Sequence, residues 1–369
     1  MTATETRRPM AELAAVGQSV WLDYIRRDLL DGELEGLVEA GLRGMTSNPT
    51  IFEKAIGGTD LYDSDIAEFV AGNPDASSVD IFEHLAIADI REATDQLRPV
   101  HDESGGRDGF VSLEVSPDLA RDTDGTVSEA RRLWSKVDRP NLMIKVPATA
   151  EGIPAIETLI GEGINVNVTL MFSMAHYEAV AGAFLRGLEA CDDPSGVNSV
   201  ASVFVSRIDT AVDDALADVG TEEAAALRGR IAVANAKAIY ARSRELFGDD
   251  FVAEWGRGVG PQRPLWASTS TKNPDYPDLL YVEPLVGSDT VNTLPPATLE
   301  AFLDHGTVVP GAVADGVDAA HQALADLDAV GVDLDAICRD LQDAGVVSFA
   351  DSYRSMLDAI DAKRAGLTG

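Results

Sequence analysis

The stretch Asn141-Leu-Met-Ile-Lys145-Val-Pro147 decides the fold of this chain. Its length, its apolar composition and its closing proline are typical of a buried β-strand. Side chains alternate between the two faces of a strand, so Leu142, Ile144 and Val146 share one face. Lys145 lies on the other face. An isolated ammonium is costly to bury, and a lysine that gives up its proton becomes a nucleophile that forms a Schiff base with a carbonyl. The alternative is a lysine at a strand end whose charged head reaches water.

Seven further runs of this kind flank the strand and alternate with helical patterns along the chain. Such alternation is typical of βαβ units that build a parallel sheet. The predicted strands are Ser19–Ile25, Leu42–Asn48, Phe110–Ser116, Asn141–Pro147, Ile164–Leu170, Ser199–Val205, Pro264–Thr269 and Leu279–Leu285. Eight strands at this spacing predict an α/β fold with a single (β/α)8 TIM-type barrel.

Helical patterns fill the intervals between the predicted strands. The clearest are Ser128–Val137, Ala175–Ala190 and Glu222–Phe247. After the last predicted strand comes a helical tail over residues 296–369, whose amphipathic stretch Val347–Lys363 is expected to pack on the barrel. No repeat, low-complexity segment or clear linker is present. The sequence therefore predicts one domain over residues 1–369, with an N-terminal extension at 1–17.

The charge of the chain restricts what it binds. Its 369 residues include 29 basic and 62 acidic side chains, a net charge of -33. This argues against nucleic-acid binding, because phosphate backbones require a basic surface. Cys191 and Cys338 are the only two cysteines and imply no disulfide framework. No secretion signal or membrane-spanning run is apparent, so the expected location is the cytoplasm.

The predicted strands carry polar side chains on one face, although strands of a parallel barrel are usually apolar on both faces. The polar residues of common parity are Asp23, Asn48, Glu114, Lys145, Asn167, Thr169 and Ser202, and Thr46 shares the face of Asn48. If the apolar faces pack against helices, these side chains converge at the carboxyl-terminal mouth of the barrel, where barrel enzymes have their active sites.

Each of these residues also has a purely structural explanation. The alternatives are a turn for Asn48 before Pro49, a surface ion pair with Arg26 or Arg27 for Asp23, a solvated strand end for Glu114 and ordinary strand propensity for Thr169. Their joint occurrence favours a site, because random solvation would not place one polar residue per strand on a common parity.

Imine chemistry fits this set of side chains. Lys145 would attack a ketone, and the protonated imine would withdraw electrons so that the adjacent C–C bond breaks. Asp23 suits the base for a C4 hydroxyl, while Glu114, acting through a water held by Thr169, suits the proton shuttle for dehydration. The expected donors to sugar hydroxyls are Asn48, Asn167 and Ser202.

A phosphate site is expected at the late loops of the barrel. Arg207 follows the sixth predicted strand, and the run Ala267-Ser-Thr-Ser-Thr-Lys272-Asn follows the seventh. Barrel enzymes often bind phosphate at these loops, and hydroxyls, backbone N–H groups and a cation suit a phosphate. The alternative is a surface pair between Arg207 and Asp209 beside a polar turn.

At these motifs the sequence resembles the transaldolase family, and in particular its longer bacterial members with an extended C-terminus. The resemblance runs from about Gln18 to the C-terminal helices. Its most specific stretches are Gly44–Phe52, Val111–Pro117, Asn141–Gly152, Gly163–Leu170 and Ala201–Asp209. It implies a class I aldolase-type barrel with the Schiff-base lysine on the fourth strand, where Lys145 falls.

The resemblance also implies a reaction and a set of site residues. The reaction is transfer of a dihydroxyacetone unit from sedoheptulose 7-phosphate or fructose 6-phosphate to glyceraldehyde 3-phosphate or erythrose 4-phosphate, in the pentose phosphate pathway and without a metal or organic cofactor. The family's site positions match Asp23, Thr46, Asn48, Glu114, Lys145, Asn167, Thr169, Ser202, Arg207 and Ser268. One position departs from the family pattern, since many members have a phosphate-binding arginine where this chain has Ser270. Lys272 is the nearest cation and is included in the expected phosphate site.

Two alternatives use the same barrel. A lyase similar to fructose-6-phosphate aldolase would use the same lysine, but the long C-terminal tail and the full set of motifs favour the transferase. A degenerate barrel that only binds ligands is disfavoured by the intact set of Lys145, Glu114 and Asp23. The sequence leaves both a monomer and a homodimer open.

Overall fold

Eight parallel strands form a closed barrel in the computed structural model, which describes residues 9–256 and 258–367. The strands are β1 Gln18–Asp23, β2 Gly44–Thr46, β3 Phe110–Glu114, β4 Leu142–Pro147, β5 Val166–Met171, β6 Ser199–Phe204, β7 Arg263–Ala267 and β8 Thr290–Leu294. They are adjacent in chain order, and β8 pairs with β1 to close the barrel. The predicted α/β barrel is therefore confirmed.

Helices surround this barrel. They are α1 Pro9–Ala15, α2 Leu34–Ala40, α3 Pro49–Phe52, α4 Asp63–Gly72, α5 Ser78–Glu103, α6 Thr123–Val137, α7 Gly152–Gly161, α8 Met174–Ala190, α9 Ser206–Val219, α10 Glu222–Ala225, α11 Ile231–Leu246, α12 Asp249–Trp255, α13 Pro296–His305, α14 Val317–Ala329 and α15 Leu334–Leu367. Single π-helical turns lie at Leu29–Glu33 and Glu53–Gly57, and 3-10 turns at Pro117–Leu119 and Glu283–Leu285. Within the described ranges, no helix combines the length and the apolar composition needed to cross a membrane. Residues 1–8 of the predicted N-terminal extension lie outside the described residues.

The prediction for the eighth strand is wrong. Strand β8 is Thr290–Leu294, whereas the predicted segment Leu279–Leu285 forms turns and ends in the 3-10 turn Glu283–Leu285. Its apolar side chains, including Leu279 and Leu285, are buried, which explains the pattern in the sequence. The apolar run therefore records a buried connection between β7 and β8 rather than a strand.

Helix boundaries also differ from those predicted. The helix expected at Glu222–Phe247 is divided into α10 and α11, because Gly229 between them has a φ of +68°, outside the helical region. Helix α6 begins earlier than predicted, because Asp122 rather than Ser128 caps it by accepting a hydrogen bond from the Gly125 N–H. The helix predicted before the sixth strand is confirmed as α8.

The strand register brings polar residues of neighbouring strands side by side. Asp23 pairs with Thr46, Glu114 with Lys145, and Lys145 with Asn167. All of them except Asn167, the second residue of β5, lie in the carboxyl-terminal halves of their strands, so their side chains approach the same end of the barrel. The barrel thus has the common parity that the sequence predicted.

A buried arginine fills the opposite end of the barrel. Arg263 is 5% exposed and donates hydrogen bonds to Ser19 Oγ at 3.0 Å and Asp108 Oδ1 at 3.2 Å. The hydroxyl of Ser19 donates in turn to Asp108 Oδ2 at 2.8 Å. A buried charge needs such partners, so these side chains close this end of the barrel as a hydrogen-bonded cluster.

Helix α15 lies across the carboxyl-terminal mouth. The Gln342 side-chain amide donates to the carbonyl oxygens of Ala148, just after β4, and Leu170, in β5, each at 2.9 Å. Further along, the ring of Phe349 has its centroid 5.9 Å from Lys145 Nζ. The helical tail of the sequence therefore forms part of the wall above the barrel.

Candidate active site

A cavity of about 430 Å³ opens at the carboxyl-terminal mouth of the barrel. The predicted site residues that line it are Asp23, Thr46, Asn48, Lys145, Thr169, Ser202, Arg207, Ser268 and Lys272. The two remaining predicted residues lie behind this lining. Asn167 is hydrogen-bonded to Ser202, and Glu114 lies beside Lys145.

Lys145 is 5% exposed. Its strand alone shows no partner for the buried ammonium, but the fold supplies two. Its Nζ donates to the carbonyl oxygen of Ser47 at 3.1 Å and lies 3.4 Å from Glu114 Oε2. The Glu114 carboxylate offsets part of the cost of burying the ammonium. The amine is thus held at a fixed point on the cavity wall, with an acid–base group beside it.

Glu114 and Thr169 flank the lysine from the two neighbouring strands. The Glu114 side chain is 7% exposed, and this burial raises the pKa of its carboxyl, although the charge of Lys145 opposes the shift. Among the described residues, neither Glu114 Oε2 nor Thr169 Oγ1 has a hydrogen-bond partner. Buried polar atoms are normally satisfied, so both have capacity to bind a substrate group or water.

Asp23 ends β1 and faces the lysine across the cavity. Thr46 Oγ1 donates to Asp23 Oδ1 at 2.6 Å and lies 2.7 Å from Thr293 Oγ1. Burial raises the pKa of the Asp23 carboxyl, while the charge of the lysine and the threonine hydrogen bond oppose the shift. Arg26 and Arg27 pair with other carboxylates, so the surface ion pair considered for Asp23 is wrong.

The amide side chains of the predicted set have structural partners as well. Asn48 Oδ1 accepts a hydrogen bond from the Ile51 N–H at 3.0 Å and caps α3, so its turn function is real although it also lines the cavity. Asn167 donates from Nδ2 to Ser112 Oγ at 2.9 Å and accepts from Ser202 Oγ at 2.7 Å. Asn167 therefore orients Ser202 from behind the cavity wall.

Arg207 lies in the first turn of α9 and projects toward the cavity. Its guanidinium carbon lies 5.4 Å from the centroid of the Phe204 ring, and burial lowers its pKa. Asp209 instead accepts a hydrogen bond from the Ala232 N–H at 2.7 Å, so the surface pair considered for Arg207 is wrong. In the described part of the chain, Arg207 has no carboxylate partner, which leaves its charge available to an anion.

The loop after β7 supplies the other polar groups at this side of the cavity. Ser268 has a φ of +54°, rare for a residue with a side chain, and its Oγ lies 2.9 Å from Ser206 Oγ. Lys272 donates from Nζ to Ser270 Oγ at 2.7 Å. Burial lowers the pKa of Lys272, and the positive charge of Arg207 adds to this shift. Two cations therefore face the same space.

Comparison with known proteins agrees with this geometry. A family model described as Transaldolase/Fructose-6-phosphate aldolase matches residues 20–360. The chain belongs to the transaldolase/fructose-6-phosphate aldolase family. It is 51% identical over 356 residues to the transaldolase of Thiobacillus denitrificans, a match that covers 95% of this chain and 98% of that protein. The transaldolases of Frankia alni and Thermobifida fusca are each 48% identical, over 98% of this chain and 98% and 99% of their own lengths.

The family membership predicted from the sequence motifs is therefore confirmed. The transaldolase family match includes all eight strands except the first two residues of β1, and it includes most of α15. The three full-length relatives carry the name transaldolase, although the family model covers both transaldolases and fructose-6-phosphate aldolases.

The sequence patterns of this transaldolase-family chain did not predict some of the residues that line the cavity. They include Tyr24, Lys54, Phe204 and Phe349. Phe349 comes from α15, and an amphipathic pattern does not tell which residue of a helix will meet a distant site. The sequence contains one indication that Lys54 lies near the site, because it follows the family-specific stretch Gly44–Phe52 by two residues.

Proposed function

We propose that this chain transfers a dihydroxyacetone unit from sedoheptulose 7-phosphate or fructose 6-phosphate to glyceraldehyde 3-phosphate or erythrose 4-phosphate, in the non-oxidative pentose phosphate pathway. Transaldolase activity is supported by full-length relatives of that name at 45–51% identity. The observation that carries the chemical proposal is the position of Lys145, which is buried on β4, open to the cavity and 3.4 Å from Glu114.

The first half of the reaction is imine formation. Lys145, as a neutral amine, adds to the C2 carbonyl of the donor ketose, and loss of water from the carbinolamine gives the imine. Glu114 gives a proton to the departing hydroxyl through a water bound between it and Thr169, and recovers the proton when the product is released. Glu114 Oε2 and Thr169 Oγ1 support this assignment, because both atoms are buried and have no hydrogen-bond partner among the described residues.

The second half is cleavage and transfer of the carbon unit. Asp23 accepts the proton of the C4 hydroxyl, the C3–C4 bond breaks, and its electron pair moves into the protonated imine of Lys145. An aldehyde leaves, and the enamine attacks the acceptor aldehyde while Asp23 returns the proton to the new hydroxyl. Thr46 holds one oxygen of Asp23 and leaves the other for substrate. Asn48 and Ser202 on the cavity wall, with Asn167 behind Ser202, are proposed to bind the remaining hydroxyls.

The phosphate group is assigned to Arg207, Ser268 and Lys272. Arg207 ranks above Lys272, because its planar fork can engage two phosphate oxygens and its charge is permanent. Lys272 is a point charge on a flexible stem, and its Nζ already donates to Ser270. The absence of a carboxylate beside Arg207 among the described residues supports this ranking.

The proposal also covers cofactors, partners and location. The imine itself acts as the electron sink, so the reaction requires neither a metal nor an organic cofactor. A net charge of -33 disfavours nucleic acid as a partner. We place the enzyme in the cytoplasm, as a monomer or homodimer.

Borohydride trapping tests the central assignment. Reduction in the presence of fructose 6-phosphate should add mass to the peptide that contains Lys145, because borohydride converts the imine to a stable secondary amine. Lys145→Ala should abolish the adduct, whereas Lys136→Ala, at a lysine paired with Glu83 on the outer surface, should retain it. An adduct that persists in Lys145→Ala would contradict the assignment. Product analysis with and without an acceptor aldehyde separates transfer from simple cleavage, which would indicate a lyase.

A further inference from the structure

We propose that Lys54 is a third cation of the phosphate subsite and increases the preference of the enzyme for sugars that end in a phosphate. This inference rests on the proposed function, and it concerns a residue that lies outside the motifs assigned above. Lys54 lies in the π-helical turn Glu53–Gly57 that follows α3. It enters the cavity from the β2 side, whereas Arg207 and Lys272 enter from the β6 and β7 sides.

Charge balance distinguishes these three cations from those on the outer surface. Outer cations are typically paired, as Arg131 is with Glu162. Lys54, Arg207 and Lys272 have no carboxylate partner within the described ranges, although the chain carries 62 acidic residues. Cations gathered in one cavity repel one another, and the repulsion is relieved when an anion binds between them.

Lys54 is close enough to influence its neighbours electrically. Burial lowers the pKa of Lys272, and the positive charges of Arg207 and Lys54 contribute to that shift. A phosphate monoester carries about 1.5 to 2 negative charges near neutral pH. A third positive charge therefore adds attraction for a phosphate and offers little to an uncharged sugar.

The C-terminal helix holds the turn that carries Lys54. A Cβ placed on Gly57 would lie 3.1 Å from the Cβ of Ala359 in α15, so the two backbones pack closely. Thr50 and Ser352 share a side-chain hydrogen bond of 2.9 Å just before this turn. Lys363 donates to the carbonyl oxygen of Thr59 at 2.7 Å just after it. The turn is thus fixed from both sides, which reduces the ordering that phosphate binding would otherwise require.

Three variants test the proposal. Lys54→Gln removes the charge, Lys54→Arg keeps it, and Lys136→Gln removes an equal charge from the outer surface. The measurements are the affinity for inorganic phosphate by calorimetry, and kcat/KM for fructose 6-phosphate and for unphosphorylated fructose with unphosphorylated glyceraldehyde as acceptor. Lys54→Gln should weaken phosphate binding, and lower kcat/KM for fructose 6-phosphate, by roughly three- to tenfold. Activity with fructose should stay unchanged, and Lys54→Arg should keep most of the phosphate affinity.

Two results would overturn the proposal. One is a phosphate affinity in Lys54→Gln equal to that in Lys136→Gln, and the other is an equal loss of activity with both donors. Phosphate binding is measured without turnover, so a wild-type protein that binds phosphate but transfers no dihydroxyacetone would refute the proposed function while the role of Lys54 is still decided by the titration.

Discussion

Two buried carboxyl groups near Lys145 have raised pKa values, and each is suited to a different proton transfer. Burial raises the pKa of both Asp23 and Glu114. Glu114 lies against the lysine, where it can exchange protons during imine formation, and Asp23 lies across the cavity beside Thr46. Groups with pKa values shifted toward neutral pH are suited to give and take protons in one cycle.

Substitution should separate these two roles. Asp23→Asn should reduce C–C cleavage more than imine formation, whereas Glu114→Gln should slow imine formation and product release. Each loss should be about 10²–10⁴-fold, the usual contribution of a general acid–base group. Time courses of borohydride trapping measure imine formation, and product assays measure cleavage. Glu162→Gln, on the outer surface, is the matched control, and near wild-type turnover in either site variant would contradict the roles.

The C-terminal helix α15 links the two strands that carry Lys145 and Thr169. Gln342 donates to the carbonyl oxygens of Ala148 and Leu170, each at 2.9 Å. Leu170 has a φ of +54°, so its carbonyl points out of the regular strand pattern and needs a partner from outside the sheet. The helix thus stabilises an unusual strand end next to the reacting groups.

Removal of this link should affect stability and catalysis together. Gln342→Ala leaves two partly buried carbonyl groups without their donor, which should lower the free energy of unfolding by about 1–3 kcal/mol. It should also reduce kcat, because the strand ends that hold the lysine and threonine lose a common anchor. Gln322→Ala removes an exposed glutamine that donates to Asp326, and should change neither quantity. Chemical denaturation and steady-state kinetics give both readouts, and equal behaviour of the two variants would rule out the anchoring role.

A buried carboxylate joins α9 and α11 to the connection between β7 and β8. Asp209 is 1% exposed and accepts hydrogen bonds from the Ala232 N–H at 2.7 Å and the Tyr281 hydroxyl at 3.0 Å. Burial raises its pKa from 3.8 to about 6, and the charge of Asp213 adds to the shift. The folded state therefore holds this proton more tightly than the unfolded state does.

This difference predicts a pH dependence of stability. Between pH 3.8 and about 6 the folded protein binds more protons at Asp209 than the unfolded chain, so the free energy of unfolding falls as the pH rises through this window. Asp209→Asn cannot ionise, and its stability relative to wild type should increase by roughly 2 kcal/mol from pH 4 to pH 7. Denaturation of both proteins across this range measures the difference, since their other groups cancel. A constant difference would show that Asp209 does not titrate as described.

The whole molecule combines a strongly negative field with a locally positive cavity. The net charge of -33 repels sugar phosphates at long range, whereas Arg207 and Lys272 line the mouth of the barrel. We propose that the chain is a single domain, because α13 packs on β1 and β8 and α15 packs across the mouth. The C-terminal helices and the barrel then form one body around this cavity.

The balance of fields predicts an unusual salt response. Salt screens both the long-range repulsion and the local attraction, since the Debye length is about 10 Å at 0.1 M. The two effects oppose each other, so kcat/KM for fructose 6-phosphate should change by less than about threefold as a salt without phosphate rises to about 0.3 M. Unphosphorylated fructose serves as the control for general effects of salt. A steep fall with fructose 6-phosphate alone would show that long-range attraction governs binding.

Local sequence patterns were sufficient to predict most strands of the barrel and many of the residues around the cavity. Strand alternation is a property of consecutive residues, so it located seven of the eight strands and also showed which side chains share the face of Lys145. Parallel pairing in register then brings Glu114 and Asn167 beside the lysine without further information. The family motifs lie on these same strands.

Long-range packing decided the eighth strand and the cavity residues that come from distant elements. The apolar run Leu279–Leu285 is buried like a strand, but the barrel is closed by Thr290–Leu294, whose pairing with β1 depends on a segment 272 residues away. The approach of Phe349 and Lys54 to one cavity depends in the same way on the path of distant elements. A sequence pattern records that a residue is buried or faces one side, because these properties are local. It does not record which distant segment supplies the partner, because that depends on the packing of the whole chain.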